Sequence, residues 1–260
     1  MRFLGKNLTS RSCRRWLGQM IIPKSDDLSR QLSAFYPQQP SCQIADMWFL
    51  YELFFGFRRD GIFVEVGAFD GIYASNTWGL ASQQWRGVMI EPIPEYAREC
   101  RANHKHHPRV AVVNAAISSH ALDHYELRVA GPLTTGRLDL ADMYNQISWA
   151  EKELKSRSTF AQSETLNKVL EDHSIPKNFE VLVVDVEGSE LDVFSGFDLE
   201  AWLPQMIVVE LAEYHPDLWA VSTDHAQVTS RILSAGYMIV YRDRINTVFV
   251  HQSCLRRPPP

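Results

Sequence analysis

Residues 62–91, reading IFVEVGAFDGIYASNTWGLASQQWRGVMIE, constrain the fold more than any other part of the chain. An apolar run at 62–66 stops at a turn containing Gly67 and Gly71, a helix-like stretch follows, and a second apolar run at 87–90 ends on Glu91. A strand, turn, helix and strand in this order form the nucleotide cradle of an α/β protein. Glycine at 67 and 71 lets backbone approach a ligand where a Cβ would collide. Glu91, at the end of the second strand, can accept two hydrogen bonds from a ribose diol, so the expected ligand carries a ribose.

The glycine pattern discriminates between ligands. A dinucleotide fingerprint would read G-x-G-x-x-G, with a helix N-terminus facing a pyrophosphate. Here the turn is Glu65-Val66-Gly67-Ala68-Phe69-Asp70-Gly71, with a carboxylate on each side of the first glycine. Those acids would repel a pyrophosphate, which argues against a nicotinamide-dependent oxidoreductase. They suit a cofactor with a cationic end, such as the ammonium and sulfonium of S-adenosylmethionine.

Composition bounds the rest. With 260 residues, 45% hydrophobic and 22% charged, the chain can bury one substantial core, so one domain with appendages is expected. A net charge of −5 gives no electrostatic case for nucleic acid. Cys13, Cys42, Cys100 and Cys254 are scattered without a C-x-x-C, which fits a reducing, cytoplasmic setting and neither a disulfide framework nor structural zinc. Residues 1–42 are expected to form a flexible basic arm: Arg2, Lys6, Arg11, Arg14, Arg15 and Lys24 occur without a single acid up to residue 24. Weak contact with an anionic membrane surface is the most such an arm implies, since no apolar run is long enough to span a bilayer. The folded domain is expected over 43–252, and 253–260 as a tail.

Within that domain, helical spacing of Met47, Leu50, Tyr51, Phe54 and Phe57 predicts a helix over 46–58 with its aromatics in the core. A helix is expected over 94–103, a strand over 110–117, and a helix over 164–173 capped by Ser163. Residues 127–160 break the regular pattern and are expected as an irregular insertion, either a substrate-facing wall or a surface excursion. The histidines in 103–108 are expected in solvent, not as metal ligands. Strands at 181–184 and 206–209 end on Asp185 and Glu210, and residues past such strand ends belong to the ligand crevice of an open α/β sheet. Asp185 is the candidate general base on an acceptor hydroxyl, with Glu210 beside it. The pair could bind a divalent cation, although no metal site is predicted. Glu190 is expected as a helix N-terminal charge, Glu187 has no assigned role, and Glu213 and His215 extend the second acidic strand end. Segments 237–241 and 247–250 predict an antiparallel hairpin.

The chain resembles the FkbM family of S-adenosylmethionine-dependent methyltransferases. FVEVGAFDG, the Ser75-Asn76-Thr77 triplet, WRGVMIEP at 85–92, AAIS at 115–118 and VVDVEGSE at 183–190 carry the resemblance, which runs from about residue 46 to about 250. It implies a Rossmann-like class I methyltransferase fold: a mostly parallel seven-stranded sheet closed by a C-terminal antiparallel hairpin, with helices on both faces. It further implies S-adenosylmethionine as donor and O-methylation of a hydroxyl on a sugar, glycan or other natural product. By position, Glu65, Gly67, Asp70 and Gly71 would line the methionine end, Glu91 the ribose, and Ala116 with its neighbours the adenine, with Ala68, Asn76, Pro92 and Asp185 completing the expected cofactor-binding set. The chain departs from the family pattern at Val183, Phe69 and Asn167, where lysine or serine, asparagine and aspartate are frequent. The alternative to an enzyme is a methyltransferase-like binding or trafficking module without catalysis.

Overall fold

A computed structural model of the chain describes residues 35–140, 157–211 and 222–256. Most of the expected basic arm, the middle of the expected insertion, and Glu213 with His215 lie outside these segments.

β1 (Ile62–Val66) is central, pairing in parallel with β2 (Arg86–Ile90) on one side and with β7 (Val181–Val184) on the other. β3 (Val110–Val113) extends the sheet beyond β2. β8 (Met206–Glu210) runs parallel to β7, and the hairpin of β9 (Tyr237–Arg242) and β10 (Asn246–His251) closes it antiparallel, as expected. The order β3-β2-β1-β7-β8-β10-β9 makes seven strands. The chain leaves β1 in one direction for β2 and β3 and returns on the other side for β7 and β8. Such a reversal opens a crevice at the carboxyl ends of β1 and β7.

Strand alternation produces two packed faces. Phe63, Met89 and Val183 point to one, where α1 (Met47–Phe55) and α2 (Trp78–Ser82) cover them, with Cys100 of α3 (Pro94–Asn103) in the same cluster. Val64, Ile90 and Val184 point to the other, against α4 (Leu166–Asp172), α5 (Glu190–Ser195), α6 (Leu199–Trp202) and α7 (Ser222–Ser234). Trp85 is fully buried under Gly61, and its indole N–H donates to the Arg58 carbonyl at 2.7 Å. Among the described residues, no helix is long and apolar enough to cross a membrane.

Several expectations need correction. The predicted strand over 110–117 splits after Val113, because the Asn114 amide donates to the carbonyls of Glu91 and Pro92 and turns the chain. The remainder, β4 (Ala116–Ile117), joins a second sheet of order β4-β6-β5 with β5 (Leu122–Val129) and β6 (Arg157–Glu164). The flanks of the expected irregular insertion are therefore strands. Ser163 lies in β6 instead of capping a helix, its hydroxyl accepting from the Leu122 N–H; Thr165 caps α4, accepting from the Lys168 N–H. Phe57 is not core: α1 ends at Phe55, and Phe57, past the Gly56 turn, is 80% exposed.

Candidate active site

The glycine turn after β1 is held from three sides. Gly67 N–H and Ala68 N–H both donate to the Ile90 carbonyl at the end of β2 (3.0 and 3.1 Å), and Asp185 N–H donates to the Val66 carbonyl at 3.0 Å. One Asp70 carboxylate oxygen accepts from the N–H groups of Ile72 and Tyr73, an Asx-type closure of the loop. The third support comes from the histidine segment, where His106 is exposed as expected but His104 is not. His104 is 4% exposed, and its Nε2 donates to the Gly71 carbonyl at 2.8 Å while Asn103 donates to that of Asp70. A carbonyl can only accept, so His104 carries its proton on Nε2, and as a neutral ring it accepts at Nδ1 from His107 Nδ1–H at 2.9 Å. Burial pushes the His104 imidazole below its ordinary value. His104→Leu is expected to remove about 1–3 kcal/mol of stability in urea unfolding, because the Gly71 carbonyl loses its buried donor.

Glu91 is buried with one hydrogen bond on each oxygen: Oε1 accepts from Ile93 N–H at 2.7 Å and Oε2 from Phe69 N–H at 3.0 Å. Each oxygen retains acceptor capacity, and Glu91 lines a cleft with Gly67, Pro92, Ala116, Tyr125 and Val186. Burial raises its carboxyl to about 7 against the pull of those two N–H groups. Phe69, which lines the cleft at φ +47°, sets its ring against Tyr96 with centroids 4.6 Å apart.

The adjoining half of the cleft is acidic. Glu65, buried at the end of β1, accepts from Thr77 Oγ1 at 2.8 Å and more distantly from Ser75 Oγ. Burial raises it to about 7, with the Asp185 charge adding to the shift and Thr77 opposing it. Asp185, Glu187 and Glu210 converge there, with one carboxylate oxygen from each lying within 4.8 Å of the others. Burial raises all three; repulsion from Asp185 adds to the shift of Glu187 and Glu210, whereas hydrogen bonds with Glu210 and Gln43 pull Asp185 back. Glu210 Oε2 is buried without a hydrogen-bond partner among the described residues. Acids this close cannot all ionise without a cation between them, so the arrangement suits an organic cation or a divalent ion.

The turn bearing Asp185 and Glu187 is itself strapped. Glu187 (φ +53°) and Gly188 (φ +95°) have left-handed backbone, and Thr135 Oγ1 donates to the Glu187 carbonyl at 2.7 Å. Glu190 does more than meet a helix dipole. It is fully buried, its Oε1 accepts from the N–H groups of Val186 and Gly188, and its Oε2 pairs with His225 of α7 at 3.1 Å. Only a fold that brings α7 beneath this turn reveals that role.

The predicted residues are thus brought to one crevice: Glu65, Gly67, Ala68, Glu91, Pro92, Ala116, Asp185 and Glu210 all line it, Asn76 included. Asp70 and Gly71 shape the turn from behind. The Asn76 amide is engaged by protein on both ends, accepting from Ile44 N–H and donating to Gln43. Gln43, from before the first predicted helix, was not anticipated.

The sequence comparison decides the family. The Methyltransferase FkbM domain matches residues 65–239, two thirds of the chain, including the glycine turn and every acid of the crevice. The chain belongs to the FkbM family of S-adenosylmethionine-dependent methyltransferases. No curated protein matches it. Among solved structures, this FkbM protein is similar to a putative O-methyltransferase from Klebsiella pneumoniae (12% identity, 92% of this chain and 96% of that one, TM-score 0.46). An O-methyltransferase from Bacillus cereus in complex with SAH gives 12% identity, 92% and 97% coverage and TM-score 0.46. A fibrillarin pre-rRNA processing protein from Methanococcus jannaschii gives 14% identity, 75% and 68% coverage and TM-score 0.41.

Proposed function

We propose that this FkbM protein transfers a methyl group from S-adenosylmethionine to a hydroxyl of a neutral acceptor such as a sugar, glycan or other natural product. The observation that carries the reading is the division of one crevice into a half built on the buried Glu91 and an acidic half built on Glu65, Asp185, Glu187 and Glu210. The donor set fits the cofactor: open lone pairs of a buried carboxylate face a diol, and unneutralised acids face a cation. S-adenosylmethionine, when bound, supplies an electrophilic methyl on a sulfonium.

The chain's own residues orient and deprotonate. Glu91 accepts from the ribose hydroxyls, Ala116 and Pro92 give apolar surface to the base, and Glu65 meets the ammonium end. Asp185, with Glu210 next to it, takes the acceptor's hydroxyl proton. Exposed Tyr73, with Pro132, Leu133 and Ile245, lines the mouth of the acidic half and offers apolar faces to an acceptor ring. Alignment can lower such a barrier by roughly 7–11 kcal/mol, and a base adds on the order of 10²–10⁴-fold.

Labelled methyl transfer onto a panel of glycosides and polyols tests this. The wild type is expected to label hydroxyl oxygen, and Asp185→Asn to lose about 10²–10⁴-fold in rate. Label found on nitrogen or carbon would reject the hydroxyl assignment, and full turnover by Asp185→Asn would reject the base. Excess EDTA is expected to leave transfer unchanged. Loss in chelator that Mg²⁺ restores would instead make Asp185 and Glu210 cation ligands.

A further inference from the structure

Gln43 stands 22 residues before the family match begins at residue 65, yet its side chain reaches the centre of the crevice. Its Nε2 donates to Asp185 Oδ2 at 3.0 Å, across 142 residues of chain. Its Oε1 accepts from Asn76 Nδ2 at 3.3 Å, and Asn76 Oδ1 accepts in turn from Ile44 N–H at 3.1 Å. That second contact fixes which end of the Gln43 amide faces Asp185, since a flipped amide would set NH₂ against NH₂ and carbonyl against carboxylate. The surrounding segment is sewn to the loop after the glycine turn. Gln43 N–H donates to the Ala74 carbonyl at 3.3 Å, and Ser41 Oγ donates to that of Ile72 at 3.2 Å.

We propose that Gln43 is a positioning residue of the methyl-transfer site, holding the Asp185 carboxylate in the orientation in which it meets bound cofactor and acceptor. Gln43 then belongs to the active centre, although it lies outside the matched family domain. Of Asp185, Glu187 and Glu210, Asp185 is the one with a neutral side-chain donor on a named oxygen among the described residues. Fixing Oδ2 leaves Oδ1 to face the reacting groups. A carboxylate without that donor would rotate toward whichever partner lay nearest, and the acceptor's proton would lose a fixed destination. The inference rests on the methyltransferase reading above.

The test compares Gln43→Met, which keeps length but cannot donate, with Ser41→Ala, which cuts one stitch of the same segment without touching Asp185. Each full-length variant is titrated with S-adenosylhomocysteine by calorimetry, melted without ligand, and examined by NMR with [methyl-¹³C]S-adenosylmethionine. Gln43→Met is expected to bind about 10- to 100-fold more weakly, as for a lost hydrogen bond to a charged group, and to move the bound methyl resonance. Ser41→Ala is expected to match wild type in both. Wild-type affinity and an unmoved resonance in Gln43→Met would overturn the proposal. So would equal losses in both variants alongside equal drops in melting temperature, which would make the segment a structural clasp. If wild type binds neither ligand, the methyltransferase reading fails, whereas binding by wild type that Gln43→Met leaves undiminished fails this inference alone.

Discussion

Gly67→Ala is expected to lower stability by about 3–5 kcal/mol, a large share of the 5–15 kcal/mol that holds an ordinary domain together. Two costs combine. Gly67 has φ +88°, where a side chain is strained, and a Cβ there would lie 1.7 Å from the Asp185 carbonyl oxygen. Because that oxygen belongs to backbone, relief requires β1 and β7 to separate at the point where the crevice forms. Gly236 supplies the control: at φ +91° it has comparable strain, but its nearest neighbour is the end of the Gln252 side chain at 3.0 Å. Gly236→Ala should therefore cost only about 1–2 kcal/mol. Urea denaturation of both variants separates strain from collision. Equal, small losses would mean that β1 and β7 do not approach as described.

Between pH 4.5 and 7 the ligand-free protein is expected to lose stability as its affinity for the cofactor rises. Glu65 and Glu91 ionise near 4.5 in an unfolded chain and are held at about 7 by burial in the folded one. Over that window the folded state binds more protons than the unfolded state, so raising pH favours unfolding, by on the order of 3 kcal/mol for each acid, and the contribution of these two acids levels off above 7. Ligand binding has the opposite sense, because a cation near Glu65 favours its ionised form. S-adenosylhomocysteine, which keeps the ammonium, should bind more tightly as pH rises and should release protons, seen as a buffer-dependent heat. Glu65→Gln should flatten both trends. A ligand-free stability that rises from pH 5 to 7 would contradict the buried-acid description.

Much of the crevice was legible because its residues sit at strand ends. Apolar runs at 62–66, 87–90, 181–184 and 206–209 announce buried strands, and whatever follows a parallel strand lies at the crevice, so Gly67, Glu91, Asp185 and Glu210 could be placed without coordinates. What escaped detection depends on contacts between distant segments. The pairing of Glu190 with His225 spans 35 residues and that of Gln43 with Asp185 spans 142, and neither leaves a local periodic trace. His104 was misjudged for the same reason. A histidine-rich loop looks polar until the Gly71 carbonyl is found above it. The split of 110–117 turns on one side chain, Asn114, whose two backbone acceptors lie 23 and 22 residues earlier in the chain, before α3.

The most direct measurement is a calorimetric titration of wild type and Glu91→Ala with S-adenosylhomocysteine, with NAD as a control ligand. Wild type is expected to bind S-adenosylhomocysteine and not NAD. Glu91→Ala should weaken binding by about 100-fold or more, as two hydroxyls lose a charged acceptor and the Phe69 and Ile93 N–H groups lose theirs. Failure of wild type to bind S-adenosylhomocysteine, or undiminished binding by Glu91→Ala, would contradict the assignment of this crevice as a donor site.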